Sequence, residues 1–152
     1  MISLVEITPQ NRGECIALTV AENQKSFVAA NIDSLNEADE NPGMCPVGIY
    51  ADNKMVGFAM YGNNEEENKS WIIRYMIDES HQKKGYGKES LKLLIQMMYD
   101  KYKSSAIRLC VEPGNTVAIN FYKSFGFRST GETWDGEDIY ELKRQSNEPD
   151  GR

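Results

Sequence analysis

The sequence predicts a mixed α/β fold in a single domain, and three observations carry that prediction. Apolar runs of strand length alternate with amphipathic helical runs in the order β-α-α-β-β-β-α-β-α-β-β. No internal repeat and no linker divides the 152 residues, a length that one hydrophobic core can hold together. Hydrophobic residues at 40% and charged residues at 26% are the balance of an ordinary globular chain.

Residues 2–7 alternate weakly and close on Thr8-Pro9, which suits a first strand followed by a helix start. Residues 10–20 carry Cys15, Ile16, Leu18 and Val20 as the apolar members of a short helix. Residues 22–41 set Phe27, Val28, Ile32 and Leu35 among Asp33, Glu37, Asp39 and Glu40, the pattern of one or two short, acid-rich helices. Asn41-Pro42-Gly43 ends them. Residues 47–51 and 54–61 are apolar runs split by the turn dipeptide Asp52-Asn53, a hairpin. A polar loop, residues 62–69, leads to a fourth strand at 71–78, nearly continuous in apolar, β-branched and aromatic residues and expected to be buried on both faces. From Leu91 the apolar residues recur as Leu94, Ile95, Met98 and Tyr102, one stripe of a helix running to about residue 103. Residues 106–112 form a further buried strand, ended by Pro113-Gly114. Asn115 can cap the next helix, whose face holds Ala118, Phe121, Tyr122 and Phe125 and which stops at Gly126. Two strands, 127–133 and 139–143, joined by a Trp-Asp-Gly-Glu-Asp turn, complete a domain spanning 1–144. The polar tail 145–152 is expected to be disordered.

Composition removes several functions. With 23 acidic against 17 basic side chains the net charge is −6, so nucleic acid is not an expected partner and a cationic small molecule is. No apolar run is long enough to span a membrane, and the N-terminus lacks the basic region and cleavage site of a secretory signal. Cys15, Cys45 and Cys110 show no C-x-x-C spacing and are read as reduced thiols of a cytoplasmic protein. A single histidine, His81, argues against a metal centre or a histidine-based hydrolase.

The chemistry concentrates between the fourth strand and the helix after it. Gln82-Lys83-Lys84-Gly85-Tyr86-Gly87-Lys88 puts two flexible glycines and three lysines where a helix begins. Unpaired N–H groups and the positive end of the helix dipole point at the same spot, which makes an anion site suited to phosphates. The spacing matches neither G-x-x-x-x-G-K-[ST] nor G-x-G-x-x-G, because Ser90 stands where a third glycine would be.

This stretch resembles the Q/R-x-x-G-x-G/A signature of the GNAT acyltransferases, and residues 111–127, V-E-P-G-N-T-V-A-I-N-F-Y-K-S-F-G-F, resemble the later motif of that family. Residues 27–38, F-V-A-x-N-x-x-S-L-x-E-A, and W-I-I-R-Y-M-I-D liken the chain further to the bacterial spermine/spermidine (diamine) N-acetyltransferases. The resemblance implies one GNAT domain, a mixed and mostly antiparallel sheet whose fourth and fifth strands splay apart, with about four flanking helices. It implies acetyl-CoA as cosubstrate and a polyamine as acceptor. Met76 and Ile77 would pair their backbone with the pantetheine arm, and Gln82, Lys83, Lys84, Gly85, Tyr86, Gly87 and Lys88 would surround the pyrophosphate. Asn115 would hydrogen-bond the cosubstrate, Ala118 would pack near it, and Tyr122 would sit beside the thioester sulfur. Dimers are frequent in the family, so a homodimer is open.

Acetyl transfer to an amine needs an acceptor for the amine's proton, a donor for the carbonyl oxygen and a proton for the departing thiolate. A backbone N–H near Met76 is the natural oxyanion donor and Tyr122 the natural acid, although on its helix face alone Tyr122 would be a core residue. Some family members keep a glutamate on the fourth strand as base; Ile73 stands there in this chain. Glu37, Asp33, Glu112 or a water chain are the alternatives, and Asp33, Glu37 and Glu112 equally suit contacts to a cationic substrate. Arg74 in the fourth strand must find a carboxylate or carbonyl partner. The alternatives to a polyamine enzyme are an acetyltransferase for a protein N-terminus, an amino acid or a drug, and a CoA-binding module without turnover.

Overall fold

The computed structural model describes residues 1–145, so most of the expected tail lies outside the described residues. The elements are β1 (Ile2–Glu6), α1 (Arg12–Ala17), a 3-10 helix (Glu22–Phe27), α2 (Asn31–Glu40), β2 (Cys45–Ala51), β3 (Lys54–Asn64) and β4 (Lys69–Ile77). A short 3-10 turn (Glu79–His81), α3 (Tyr86–Tyr102), β5 (Ala106–Val111), α4 (Thr116–Ser124), β6 (Arg128–Trp134) and β7 (Glu137–Lys143) follow. The sequential order is the one read from the sequence.

All seven strands join one sheet in the order β1-β2-β3-β4-β5-β7-β6. Every pairing is antiparallel except β4 with β5, which the long helix α3 connects as a crossover. That parallel pair is short: only Lys69, Ser70 and Trp71 register with Ala106, Ile107 and Arg108. Beyond Trp71 the two strands separate.

β4 also carries a bulge. Met60 pairs with Arg74 and Tyr61 with Ile72, so Ile73 is the extra residue. The bulge resets the alternation of faces. Ile72, Tyr75 and Ile77 pack with Leu91, Leu94 and Met98 of α3, whereas Ile73 and Met76 pack with Cys15, Leu35, Met55 and Phe58 on the other face. Arg74 reaches that second face too, against α2.

Several bounds differ from the sequence reading: α1 covers only Arg12–Ala17 of residues 10–20, β2 begins at Cys45 and β7 at Glu137, and three further differences bear on the site. β3 runs to Asn64, because its partner β4 starts at Lys69 and leaves only a tight turn between them. β4 is not buried along its length: Ile73, Arg74, Tyr75 and Ile77 are half-buried, and the separation from β5 opens a cavity beside the first three. α3 begins at Tyr86, so Tyr86, Gly87 and Lys88 form its first turn, not the loop before it. No helix among the described residues is long and apolar enough to cross a membrane.

Candidate active site

The separation of β4 and β5 makes a cavity of about 300 Å³. Ile72, Ile73, Arg74, Tyr75 and Met76 form one wall and Leu109, Cys110, Val111 and Glu112 the other. Asn115, Ala118 and Tyr122 of the α4 region close it on one face of the sheet. Phe27, Val28, Ala29 and Asn31 close it beside α2, and Trp134, Asp135 and Glu137 of the β6–β7 hairpin complete the rim. Of the expected site residues, Met76, Asn115, Ala118, Tyr122 and Glu112 therefore meet in one cavity.

Tyr122 is half-buried, with its ring held between Phe121 and Phe127 at centroid distances of 5.6 and 5.8 Å. Among the described residues its hydroxyl has no hydrogen-bond partner, and burial pushes the phenol above its ordinary pKa. The group is a proton donor through the neutral range, with nothing to donate to except what enters the cavity. Asn115 caps α4 by accepting the Ala118 N–H at 3.3 Å, which fixes its side chain and leaves its NH₂ free to donate into the cavity.

The anion loop lies at the end of β4. Lys83 and Gly85 both adopt positive φ, 63° and 83°, and Gly85 has open space where a side chain would be. Lys83, Lys84 and Lys88 are exposed around it. Such a turn at the start of a 17-residue helix aims main-chain N–H groups outward and fits a diphosphate. Gly87 also has inward neighbours. A side chain there would point inward, 3.6 Å from the Phe121 ring and the Tyr75 hydroxyl. The Tyr75 hydroxyl donates to the Gly87 carbonyl at 2.7 Å and bonds Ser90 Oγ at 2.7 Å, which ties the first turn of α3 to β4. Gln82 donates to the Ile77 carbonyl at 2.9 Å and to Gln24 Oε1 at 3.0 Å. The Ile77 carbonyl thus faces away from β3, on the edge of β4 that lacks a strand.

The acids of α2 are placed less centrally. Glu37 accepts from Arg74 at 3.1 Å, the partner that Arg74 requires, and Ser34 Oγ accepts from Arg74 Nε at 3.1 Å. Asp33 is exposed and does not line the cavity. Asp39 is paired with Arg12 at 2.9 Å and Glu22 with Lys25 at 3.1 Å. Glu65, Glu66 and Glu67 are exposed in the β3–β4 turn, at the end of β4 where the strands are still paired. The cavity has its own acids instead: Glu112, Asp135 and Glu137, with Arg74 as the one cation lining it among the described residues.

Sequence reasoning missed Asp135, Glu137 and Trp134. Their signal lies in register. Val111 pairs with Asp138, so the next step sets Glu112 opposite Glu137, but this depends on β7 inserting between β5 and β6.

A seven-stranded sheet opened between two parallel strands, with a glycine turn and a helix start at the opening, is the architecture of a class that transfers acyl groups from a CoA thioester to amines. The chain belongs to the Acetyltransferase (GNAT) family, whose sequence pattern it matches over residues 15–127. It is an acetyltransferase that uses acetyl-CoA as donor. It is 39% identical, over 91% of its own length and 95% of the relative's, to the spermine/spermidine N(1)-acetyltransferase of Bacillus subtilis (strain 168). Its fold is similar to spermidine N-acetyltransferase from Vibrio cholerae in complex with CoA and spermine, with a TM-score of 0.72 at 16% identity over 92% of each chain. The ribosomal-protein-S18-alanine N-acetyltransferase of Escherichia coli matches as well, with a TM-score of 0.71 at 18% identity over 97% of this chain and 98% of that one. The fold alone therefore does not choose the amine.

Proposed function

We propose that this chain transfers the acetyl group of acetyl-CoA to a primary amine of a polyamine, spermidine or spermine, giving the N-acetylpolyamine and CoA. The observation that carries the reading is the charge of the cavity. Glu112, Asp135 and Glu137 outnumber Arg74, and Glu37 already neutralises Arg74. A flexible polycation can set its distal ammonium groups against such carboxylates while one amine enters the gap. The Bacillus subtilis relative at 39% identity supports the same substrate class. A cytoplasmic location fits this role, and nucleic acid has no part in it; a homodimer is compatible with it.

The lysines and main-chain N–H groups of residues 82–88 hold the diphosphate. Ile77 offers its main-chain N–H on the unpaired edge of β4 to the pantetheine arm and to the carbonyl oxygen, with Met76, whose main chain faces β3, lining the cavity beside it. Asn115 donates to the cosubstrate and Ala118 packs beside it. Tyr122 gives its proton to the departing sulfur. Transfer is direct: the Cys110 thiol, the only cysteine lining the cavity, is held above its ordinary pKa by burial and by Glu137, so it stays protonated and is no nucleophile. Asp33 and Glu37 act at the outer margin, Glu37 by keeping Arg74 from repelling the substrate.

A thiol-release assay on spermidine, spermine, butylamine and a short peptide with a free N-terminus tests the reading. Two distal ammonium groups in weak ion pairs of about 0.2–1 kcal/mol each predict a kcat/KM about 2- to 30-fold higher for the polyamines than for butylamine. A peptide preferred over both polyamines would overturn it.

A further inference from the structure

The fourth-strand glutamate that some family members keep is replaced here by Ile73, and the two sheet faces at the cavity are chemically unlike. Arg108 and Cys110 of β5 lie opposite Glu141 and Ile139 of β7 in the antiparallel register, so these side chains share one face; Glu137 alternates onto that face of β7, and Glu112, just after β5, lines the same cavity close enough for its charge to act on Glu137. The alternate residues Ile107, Leu109, Val111, Tyr140 and Leu142 pack on the other face with α3 and α4, where Tyr122 lies. An acid and a carboxylate thus stand on opposite sides of the gap between β4 and β5.

On that face the two glutamates of β7 differ. Glu141 is satisfied, accepting from Arg108 Nε at 2.7 Å with Lys69 at 3.9 Å. Glu137 is half-buried and lines the cavity, and its carboxylate makes no hydrogen bond or ion pair among the described residues. Asp135, by contrast, is exposed at the hairpin tip with φ of 51°. We propose that Glu137 is the base of the reaction, taking the proton of the attacking ammonium; the assignment rests on reading the cavity as the place of amine acetylation.

The groups facing Glu137 suit that task. Burial and the charges of Glu112 and Asp135 raise its pKa, while Arg74 of β4 lowers it by less. Arg74 is itself tied to Glu37 of α2. Cys110 of β5 is a protonated thiol, and Tyr122 of α4, across the cavity, is a protonated phenol. Glu137 is consequently the group in the cavity whose proton affinity lies above the carboxylate norm and nearer to neutrality, where a general base works best. In the step itself the ammonium gives its proton to Glu137. The freed lone pair forms the C–N bond to the acetyl carbon, the C–S bond breaks, the sulfur leaves with the proton of Tyr122, and the nitrogen loses its second proton to solvent to become the neutral amide. Glu137 then releases its proton to solvent, and Tyr122 is reprotonated from it.

The test is the pH profile of Glu137→Gln, an isosteric change that removes one of three neighbouring like charges. With Glu137 present, kcat/KM rises through a carboxyl titration above the ordinary carboxylate range and then stays level. Without it the enzyme depends on the neutral amine, about one part in a thousand at pH 7 for an amine of pKa about 10. The expected loss is about 10²–10³-fold at pH 7 and shrinks about tenfold per pH unit toward pH 10. Glu137→Asp should restore the level profile. In the free enzyme, ¹³C-carboxyl NMR should show a glutamate titrating above its ordinary range that is missing in Glu137→Gln, with CoA affinity unchanged by calorimetry. A defect that is constant with pH, or one confined to KM and lost with butylamine, would make Glu137 an ammonium contact and overturn the proposal. So would a normal carboxyl titration. All ratios are taken on whichever amine the wild type acetylates best, so a substrate other than a polyamine would refute the preceding reading and leave this comparison decisive.

Discussion

Replacing Tyr122 with phenylalanine separates chemistry from packing, because the hydroxyl and the ring have different partners. The ring is held at 5.6 Å from Phe121 and 5.8 Å from Phe127, contacts that phenylalanine keeps. The hydroxyl has no protein partner among the described residues, so its removal breaks no hydrogen bond and leaves no group stranded. The melting temperature should therefore stay within about 2 °C, a shift that for a domain of this size corresponds to under about 1 kcal/mol. Loss of one general acid costs about 10²–10⁴-fold, or about 2.7–5.4 kcal/mol of transition-state stabilisation. Thiol release under saturating acetyl-CoA measures the second quantity, and calorimetry with CoA checks that binding survives. The sign of the phenol's shift adds a further condition. A raised pKa keeps Tyr122 protonated across neutral pH, so the ratio of wild-type to variant turnover should be constant from about pH 6 to pH 9. Turnover within twofold of wild type would return Tyr122 to the core. A ratio that climbs steeply with pH would show that the phenolate, not the phenol, is the working form.

Two other outcomes are expected. A Lys83→Ala, Lys84→Ala, Lys88→Ala variant should fold normally, since all three side chains are exposed, and should bind CoA about 3- to 100-fold more weakly at low salt; unchanged affinity by calorimetry would exclude the loop as the diphosphate site. Asp33→Asn with Glu37→Gln releases Arg74 from its carboxylate and should raise KM for spermidine several-fold, with a smaller effect on butylamine and at high ionic strength. An unaltered spermidine-to-butylamine ratio of kcat/KM would remove α2 from substrate selection.

Much of the fold was legible because the sequence marks its own boundaries. Asp52-Asn53, Pro113-Gly114 and the Asn115 cap each sit where an element turns or starts, and helical spacing from Leu91 to Met98 locates the buried face of α3. The site was legible where it is local: Asn115, Ala118 and Tyr122 are consecutive turns of one helix, and the glycine loop is continuous. What escaped depends on long-range register. The bulge at Ile73 sends Arg74 toward α2 and Tyr75 toward α3, opposite to what simple alternation from Ile72 gives. Glu137 stands some twenty-five residues from Glu112 in sequence, and only the insertion of β7 beside β5 makes them neighbours. That the Gly87 position faces the Phe121 ring and the Tyr75 hydroxyl as well as the loop also depends on long-range packing.

The three-residue seam between β4 and β5 has a mechanical consequence. It divides the sheet into a panel of β1-β2-β3-β4 and a panel of β5-β7-β6, held at one end by paired backbone and on one side by α3. At the open end each panel presents main-chain donors and acceptors with no neighbour. Those rims are walled in by α4 and the β6–β7 hairpin, so they do not invite another protein's strand as an outer edge would. A slender molecule bearing amide groups can still slide between them and supply the absent rungs. The two panels then become one continuous surface only while that molecule is in place, and the guest, as much as the host, completes the sheet.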